Sequence, residues 1–448
     1  MLLGCGLRKS QSVVFPSDAT GRALSSSQKA ALEGLASKGV VVHFFSDPTG
    51  GYAESRQKPL IGDDHGDFPF AIVRPKTVQE VSKAMKCCSD NGIQDISVYS
   101  GGHSTQGMKG SVVIKLSALN QVSVQQGKPP IVTFGGGCIN AQVDSACKPH
   151  GVAITAGNAT SVGAVGAMLG GGVGYLARWQ GLTIDNLVEA TVVLANGEIV
   201  VASKNENSDL LFALKGGGGN FGVVVEVKVK AGVLDFDPSY KKGELYFETR
   251  IVRHGDGSFK IFGNGMGTSE NVFCAWRDYA LRAPNHVSVD CVLPTGGPMV
   301  QMFTYKGGHK EAITESKEQW SLLGKHMVKI AKPQNYFDAV QTASSKQIDS
   351  LYPSPHCFRM AIMDSLPDEA IKILMNACTT GRPNKNSVIH VSLRMNHNSS
   401  RERQSETLTI GIVLIVGNAL TNAPKLISCF SYDQPMLGRT ARWQNRHT

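Results

Sequence analysis

The chain has 448 residues, 42% of them hydrophobic and 18% charged, which is enough for roughly two or three domains with a large core. Its net charge of +9 comes from scattered Lys and Arg residues with no basic run among aromatic residues, so we expect no nucleic acid partner. The ten cysteines show neither CxxC nor Cys/His ligand spacing, so we expect no metal site and no disulfide scaffold.

Neither a signal peptide nor a membrane span is visible in the sequence. The N-terminal segment lacks a sufficient apolar stretch for a signal peptide. The strongest apolar run begins at Leu408 and is far shorter than the roughly 20 residues that span a bilayer, so it predicts a buried strand. We expect a soluble protein with no membrane partner, in a compartment that the sequence leaves open.

The first elements predict a β-α-β unit behind a polar N-terminal lead-in. The lead-in, residues 1–67, contains one predicted helix in SSSQKAALEGLASKG. FAIV then predicts a strand, Thr77 and Glu80 a capping box, Gly92 the end of a helix, and DISVY a second strand. This second strand leads directly into SGGHS, so His103 is predicted to lie in a loop at the end of a strand.

The first predicted domain, residues 68–232, continues with strands and short helices. Strands are predicted in SVVIKLSALNQVSV and PPIVTFGGG, a helix in NAQVDSACKPHG, and two strands around the hairpin turn ANGE. NSDLLFALKG predicts a helix with an acidic start, and a glycine break then leads into a last strand.

A second domain is predicted over residues 233–425, where the pattern becomes that of an antiparallel sheet with helices. HVSVDCVL and MVQMFTYKGG predict strands, and EAITESKEQWSLLGKHMVKIA predicts one helix. Residues 426–448 show no periodicity and are predicted to be a loose tail.

Glycine is the compositional outlier, with 49 residues where the usual share of about 7% would give roughly 31. Glycines concentrate in residues 100–107, 157–174 and 216–222. Loops of this kind expose backbone N–H groups that bind anions, so three of them in one domain predict a large, flat, phosphorylated ligand across strand ends. A nicotinamide-type fingerprint is disfavoured, because the 157–174 run lies mid-domain instead of at the first strand-to-helix turn.

Three segments carry a specific resemblance to a known family. SGGHS, AGNATSVGAVGAMLGGGVGYLARWQGLTIDNL and NSDLLFALKGGGGNFGVV occur in this order, and together they resemble the FAD-linked oxidases of the berberine-bridge-enzyme-like group, in the vanillyl-alcohol-oxidase superfamily. The resemblance covers roughly residues 68–232. It implies an α+β fold, with a PCMH-type FAD-binding domain of two α/β lobes and an antiparallel-sheet substrate domain.

The same resemblance implies FAD as the cofactor. His103 takes the position of the histidine that bonds to the 8α-methyl of the flavin in that family. Many relatives add a second bond through a cysteine at the position of Ala159, so a single attachment through His103 is expected here. The implied FAD-binding residues are Ser100, Gly101, Gly102, His103, Ser104, Gly107, Gly157, Ser161, Val162, Gly163, Gly166 and Val223.

The resemblance further implies an FAD-dependent oxidase that acts on a small organic substrate such as a sugar, an alcohol or an alkaloid-like amine, with O2 as acceptor. A dehydrogenase with a quinone or cytochrome acceptor is an alternative. So is a non-catalytic FAD-binding protein, because the aromatic-rich C-terminal signature of the relatives is not recognisable here. No catalytic residue is assigned: His390, Tyr336 and Tyr305 are candidate bases, and a structural role suits each of them better.

Overall fold

The structure is a computed structural model of the chain. It describes residues 24–47, 51–56, 68–104, 107–108, 110–157, 159–234, 246–252, 267–294, 300–307, 309–323, 327–329, 336–337, 356–363, 366–372, 389–397, 408–417 and 442–443. No helix in these ranges is long and apolar enough to cross a bilayer.

Helices and strands alternate through the first half of the described residues, and strands dominate the second half. The helices are α1 Ser26–Ser37, α2 Ala53–Ser55, α3 Val78–Asp90, α4 Asn140–Cys147, α5 Ala164–Leu169, α6 Ala177–Gln180, α7 Ser208–Gly217, α8 Gly267–Arg282 and α9 His309–Leu323. The first eleven strands are β1 Val41–Phe44, β2 Ala71–Arg74, β3 Ile96–Tyr99, β4 Val112–Lys115, β5 Val122–Gln125, β6 Ile131–Gly135, β7 Val152–Ala153, β8 Leu187–Val193, β9 Ile199–Ser203, β10 Val223–Lys230 and β11 Gly232–Val233. The later strands are β12 Tyr246–Val252, β13 Val287–Pro294, β14 Val300–Tyr305, β15 Met327–Lys329, β16 His356–Met363, β17 Ile389–His397, β18 Leu408–Gly417 and β19 Arg442–Trp443.

The first sheet has the strand order β1-β2-β4-β3 and contains the predicted β-α-β unit. Strands β2 and β3 both pair in parallel with β4, as a crossover through α3 requires. The Thr77 side chain accepts a hydrogen bond from the Glu80 N–H at 3.2 Å, as the capping box predicts. The Glu80 carboxylate accepts from the N–H of Lys76 at 2.7 Å, one residue earlier than in the standard box.

The second sheet is antiparallel, with the order β5-β6-β10-β8-β9. Its central strand β10 alternates in burial: Val227 and Val229 are buried, while Glu226 and Lys230 are exposed. Strands β8 and β9 form the predicted hairpin, and the positive φ of +85° at Gly197 explains the glycine in its turn. This sheet packs its buried face into a core that includes α4, α5 and α7.

The third sheet is antiparallel throughout, with the order β15-β12-β14-β13-β17-β18-β16-β19. The predicted strands in residues 287–294, 300–305 and 408–417 all belong to it. Helices α8 and α9 accompany this sheet and contact each other, with the Tyr279 hydroxyl donating to Glu315 Oε1 at 2.5 Å.

Helix α6 links the part of the chain that forms the second sheet to the part that forms the third sheet and helix α8. Arg178 is 4% exposed and donates from Nη1 to the carbonyl of Ala280 at 2.8 Å, and from Nη2 to the carbonyl of Ala283. Both carbonyls lie at the C-terminal end of α8, where backbone oxygens lack helical partners. The next residue, Trp179, lies under the ammonium group of Lys306, 3.7 Å from the ring centroid.

Two predictions for the second half were wrong in part. The predicted helix in EAITESKEQWSLLGKHMVKIA ends at Leu323, and Met327–Lys329 is instead strand β15, which pairs with β12. The predicted loose tail contains the short strand Arg442–Trp443, which pairs with β16. Strand pairing across the sheet supplies hydrogen bonds that the local sequence pattern does not reveal.

Helix α8 was not predicted, although the sequence contains the spacing of apolar residues that is typical of a helix. Phe273, Trp276, Ala280 and Ala283 are buried at spacings of three and four residues, which is the period of an amphipathic helix. The predicted domain boundary at residues 232/233 falls inside β11, whose pairing with β7 places Leu234 in the core of the second sheet.

Candidate functional site

A cavity of about 400 Å³ lies where the three glycine-rich segments meet. The first segment follows β3, the second leads into and through α5, and the third joins α7 to β10. The residues around the cavity are Val98, Tyr99, Ser100, Gly101, Gly102, His103, Ser104, Gly107, Leu116, Gly136, Val162, Gly163, Val165, Gly166, Ala167, Leu169, Gly170, Gly218, Gly219, Gly222, Val223 and Val224.

Glycine is required where the first two segments touch. A Cβ atom at Gly101 would lie 2.2 Å from the Gly163 nitrogen, and a Cβ atom at Gly163 would lie 2.7 Å from Ser100 Oγ. Gly102 adopts a φ of +77°, which non-glycine residues rarely adopt, beside the Tyr99 hydroxyl. The glycines therefore allow one loop backbone to lie directly against the other.

Other glycines leave space for a ligand. A Cβ atom at Gly166 or at Gly219 would have no neighbouring atom within 4 Å, and both residues line the cavity. The Ser100 hydroxyl is buried and has no hydrogen-bond partner within the described ranges. Open space beside bare backbone and a buried hydroxyl group suit a large ligand with phosphate groups.

His103 is joined to the second glycine-rich segment by a hydrogen bond. Its Nε2 atom lies 2.8 Å from Ser161 Oγ, and the direction of donation depends on the tautomer of the imidazole. Burial lowers the pKa of His103 to about 4, so the imidazole is neutral at pH 7. A neutral imidazole keeps a nitrogen lone pair and can act as a nucleophile.

Among the cavity-lining residues that the structure describes, Tyr99 and His103 are the titratable ones, and both are neutral at pH 7. Burial raises the pKa of Tyr99 to about 12. Lys115 lies behind the Tyr99 ring, 5.1 Å from its centroid, and donates to the carbonyl of Ser55 at 2.9 Å. Burial, with a contribution from Arg74, lowers the pKa of Lys115 to about 8. An anionic ligand would therefore be bound chiefly by backbone N–H groups.

The structure brings most of the predicted FAD-binding residues to the cavity. Two of them are not among its lining residues. Ser161 is hydrogen-bonded to His103, which lines the cavity. The carbonyl of Gly157 accepts a hydrogen bond from Asn140 Nδ2 at 3.4 Å. The predicted residues that line it are Ser100, Gly101, Gly102, His103, Ser104, Gly107, Val162, Gly163, Gly166 and Val223. Their roles toward FAD stay predictions.

Two of the candidate bases, Tyr336 and Tyr305, are not among the described residues that line the cavity. Tyr336 is buried in a core and packs edge-to-face against Phe337, and Tyr305 packs edge-to-face against His286. His390 lies on β17, and its side chain falls outside the described part. The sequence reading missed Tyr99 and Gly136, although each lies in or directly after a predicted strand whose end could have been searched.

The sequence profile of the FAD binding domain family matches residues 69–203, which include the first two of the three glycine-rich segments. Residues 69–203 are an FAD binding domain. The resemblance found in the sequence is thereby confirmed for this FAD-binding domain, and FAD is its cofactor.

Curated relatives match less than half of this chain. A chitooligosaccharide oxidase of Gibberella zeae is 36% identical over 204 residues, which cover 44% of this chain and 41% of that protein. An (R)-6-hydroxynicotine oxidase of Paenarthrobacter nicotinovorans is 36% identical over 169 residues, which cover 37% of this chain and 36% of that protein. The chain thus spans well under half the length of the relatives it matches.

Solved structures are similar over nearly the whole chain. The wild-type BBE-like 1 protein of Physcomitrella patens has a TM-score of 0.73 at 21% identity, covering 90% of this chain and 87% of that chain. Glucooligosaccharide oxidase from Acremonium strictum, whose FAD is described as 6-S-cysteinyl and 8α-N1-histidyl, has a TM-score of 0.72 at 20% identity, covering 89% and 86%. The chain therefore shares the mixed α and β fold of these structures.

Proposed function

We propose that the chain is an FAD-linked oxidoreductase that oxidises a small organic substrate and passes electrons to O2. The observation that carries this proposal is the convergence of the three glycine-rich segments on one cavity, with His103 at its wall, in an FAD-binding domain. When bound, FAD supplies the acceptor for a hydride from the substrate.

His103 is proposed to hold FAD by a single covalent bond. Burial keeps its imidazole neutral, and the contact of Nε2 with Ser161 orients the ring beside the cavity. The backbone N–H groups of residues 101–104 hold the diphosphate, and the glycines at 163 and 166 allow close approach. Ala159 cannot form a thioether, so a second bond of the kind described for glucooligosaccharide oxidase is not expected.

The grouping of the strands into sheets supports a proposal for the domain organisation. The first and second sheets are proposed as the two lobes of an FAD-binding domain over residues 68–232, to which β1 adds Val41–Phe44, and the third sheet as a substrate domain over residues 233–425, to which β19 adds Arg442–Trp443. The contact of Arg178 with the end of α8 would hold the substrate domain against the lobe that contains α6.

The proposed substrate class is a sugar, an alcohol or an alkaloid-like amine. Relatives with comparable identity include an oxidase named for a chitooligosaccharide and one named for hydroxynicotine, so both kinds of substrate stay in the proposal. A second candidate is a non-catalytic FAD-binding protein. It is favoured by the absence of any titratable lining residue other than Tyr99 and His103 in the part of the cavity that the structure describes.

Acid precipitation tests the cofactor proposal. Flavin absorbance and fluorescence are measured in the washed pellet of the wild type and of His103→Ala. Flavin in the wild-type pellet alone supports the bond to His103. Flavin in both supernatants means that FAD binds without a bond, and no flavin in any fraction overturns the proposal.

A substrate panel then tests the activity. Steady hydrogen peroxide release with a sugar, an alcohol or an amine supports an oxidase. Reduction of an artificial acceptor without peroxide indicates a dehydrogenase. If a fully flavin-loaded protein carries out neither of these two reactions, the result supports the non-catalytic alternative.

A further inference from the structure

The first turn of α4 holds the loop that carries Ser161. Asn140 Nδ2 donates to the carbonyl of Ala159 at 2.9 Å. The backbone N–H of Asn140 donates to the Val162 carbonyl at 2.9 Å, and the N–H of Ala141 donates to the Thr160 carbonyl at 2.9 Å. The first N–H groups of a helix lack intrahelical partners, and here the loop carbonyls occupy two of them.

Ser161 therefore lies between residues whose carbonyls are all fixed by α4. On its C-terminal side, Gly163 forms an isolated bridge with Ile139, and the Ala164 N–H donates to the Cys138 carbonyl at 2.9 Å. The backbone N–H contacts do not depend on residue type. The side-chain contact does, because it requires an amide donor at position 140, and that residue is 2% exposed.

We propose that Asn140 is a positioning residue for flavin attachment: its amide holds the loop so that Ser161 Oγ stays within hydrogen-bond distance of His103 Nε2. This inference rests on the proposed bond between His103 and FAD. The two residues act in sequence, because Asn140 fixes the Ala159 carbonyl two residues before Ser161, and Ser161 fixes the imidazole.

The position of this contact gives it a specific meaning. Residue 159 is where many relatives are expected to bear a second covalent bond to the flavin, and the FAD of glucooligosaccharide oxidase is described as 6-S-cysteinyl. Here residue 159 is an alanine, and its backbone carbonyl accepts a hydrogen bond from Asn140 Nδ2. A buried hydrogen bond thus holds the loop in place without a bond from residue 159 to the flavin.

Covalent attachment of the flavin is a two-electron oxidation, and dioxygen is the oxidant that balances it. His103 loses its N–H proton and bonds to the 8α-carbon, which releases a second proton. The two electrons pass to dioxygen, which takes up both protons to give hydrogen peroxide. Asn140 takes no part in these transfers, and it acts only on the geometry of the imidazole.

The test is the rate of covalent attachment after FAD is added to protein produced under riboflavin limitation. Acid-stable flavin is followed with time in the wild type, Asn140→Ala, Asn140→Asp and Asn186→Ala. Asn186 is the matched control, because its Nδ2 also donates to two carbonyls, of Gln180 at 2.8 Å and Leu182 at 3.0 Å, away from the loop. We expect attachment to slow by roughly tenfold or more in both Asn140 variants, and by much less in Asn186→Ala at a similar loss of stability.

A second readout separates this inference from the proposed bond. The ratio of the two imidazole tautomers of His103 is measured by nitrogen NMR in the FAD-free protein, where Asn140→Ala is expected to change it because the Ser161 contact to Nε2 is loosened, with Asn186→Ala unchanged. Attachment at the wild-type rate in Asn140→Ala overturns the inference and leaves the bond intact. If the wild type holds flavin only reversibly, the proposed bond fails, and an unchanged tautomer ratio of His103 in Asn140→Ala then overturns the inference as well.

Discussion

His103 Nε2 and Ser161 Oγ lie 2.8 Å apart, so a side-chain hydrogen bond joins the loop after β3 to the loop before α5. The two residues are 58 positions apart in the chain. The bond fixes the plane of the imidazole beside the cavity, and donation from Nε2–H would leave the lone pair on Nδ1.

Removing the Ser161 hydroxyl should slow flavin attachment. Ser161→Ala deletes the hydrogen bond to Nε2 and so weakens the constraint on the imidazole, and we expect attachment about tenfold slower with little change in reversible FAD affinity. The measurement is acid-stable flavin against time. Ser161→Thr keeps a hydroxyl and is the control; equal rates for the wild type and Ser161→Ala would show that the hydroxyl has no role.

The substitution Gly166→Ala should change the stability of the apoprotein and its affinity for FAD in opposite directions. Alanine at this position in α5 meets no atom within 4 Å, and a helical Gly→Ala change favours the folded apoprotein by up to about 1 kcal/mol. The added methyl group enters the cavity, so we expect FAD to bind at least tenfold more weakly. Melting temperature without FAD and a binding isotherm measure the two effects.

The control for this change is Gly34→Ala in α1, which also meets no atom within 4 Å and lies outside the cavity. It should raise stability without changing FAD affinity. Unchanged affinity in Gly166→Ala would place the cofactor elsewhere.

Arg178 should stabilise the contact between α6 and α8. Arg178→Lys keeps the charge but cannot donate to the carbonyls of Ala280 and Ala283 together, and it leaves buried backbone oxygens unsatisfied. We expect a loss of about 2 kcal/mol, measured by denaturant unfolding. Arg282→Lys, at an exposed position on α8, should change stability by less than about 0.5 kcal/mol; an equal effect of both would refute the special role of Arg178.

Asp144 should make stability depend on pH. Burial raises the pKa of this carboxyl group to about 7, and its Oδ2 atom is buried without a hydrogen-bond partner within the described ranges. Between pH 4 and 7 the folded state keeps a proton that the unfolded chain loses, so stability falls as the pH rises through this window. Asp144→Asn removes the dependence.

We expect Asp144→Asn to be more stable than the wild type at pH 8, by up to about 4 kcal/mol, and to differ little from it at pH 4. Thermal unfolding across this range measures the difference. Asp90→Asn, at an exposed site on α3, is the control: it keeps Asp144, so its stability should fall with rising pH as that of the wild type does. Parallel pH profiles for Asp144→Asn and the wild type would contradict the prediction.

Local signals predicted the first half of the fold well. Thr77 and Glu80 begin α3, Gly92 follows its end, and the turn at Gly197 joins β8 to β9, because each feature is determined by residues that are close in sequence. The meeting of the three glycine-rich segments was also predicted, since loops at strand ends of one domain tend to lie together.

Contacts between distant residues could not be predicted from the sequence. Arg178 is separated from Ala280 by 102 residues, and no local pattern marks either one as a partner of the other. The same holds for Asn140, which in the sequence is an ordinary first residue of a helix. The strand at Met327–Lys329 was missed because its hydrogen bonds come from β12, far away in the chain.

The central place of β10 in the second sheet has a consequence for how the protein is made. Strands β6 and β8 leave the ribosome first, and the strand that pairs with both of them, Val223–Lys230, follows later. A nascent chain that ends at residue 203, where the matched FAD-binding segment ends, holds two hairpins with open edges and nothing to join them. The second lobe can therefore complete its sheet only after residue 230 has emerged, and gene fragments meant to fold alone should extend past Leu234.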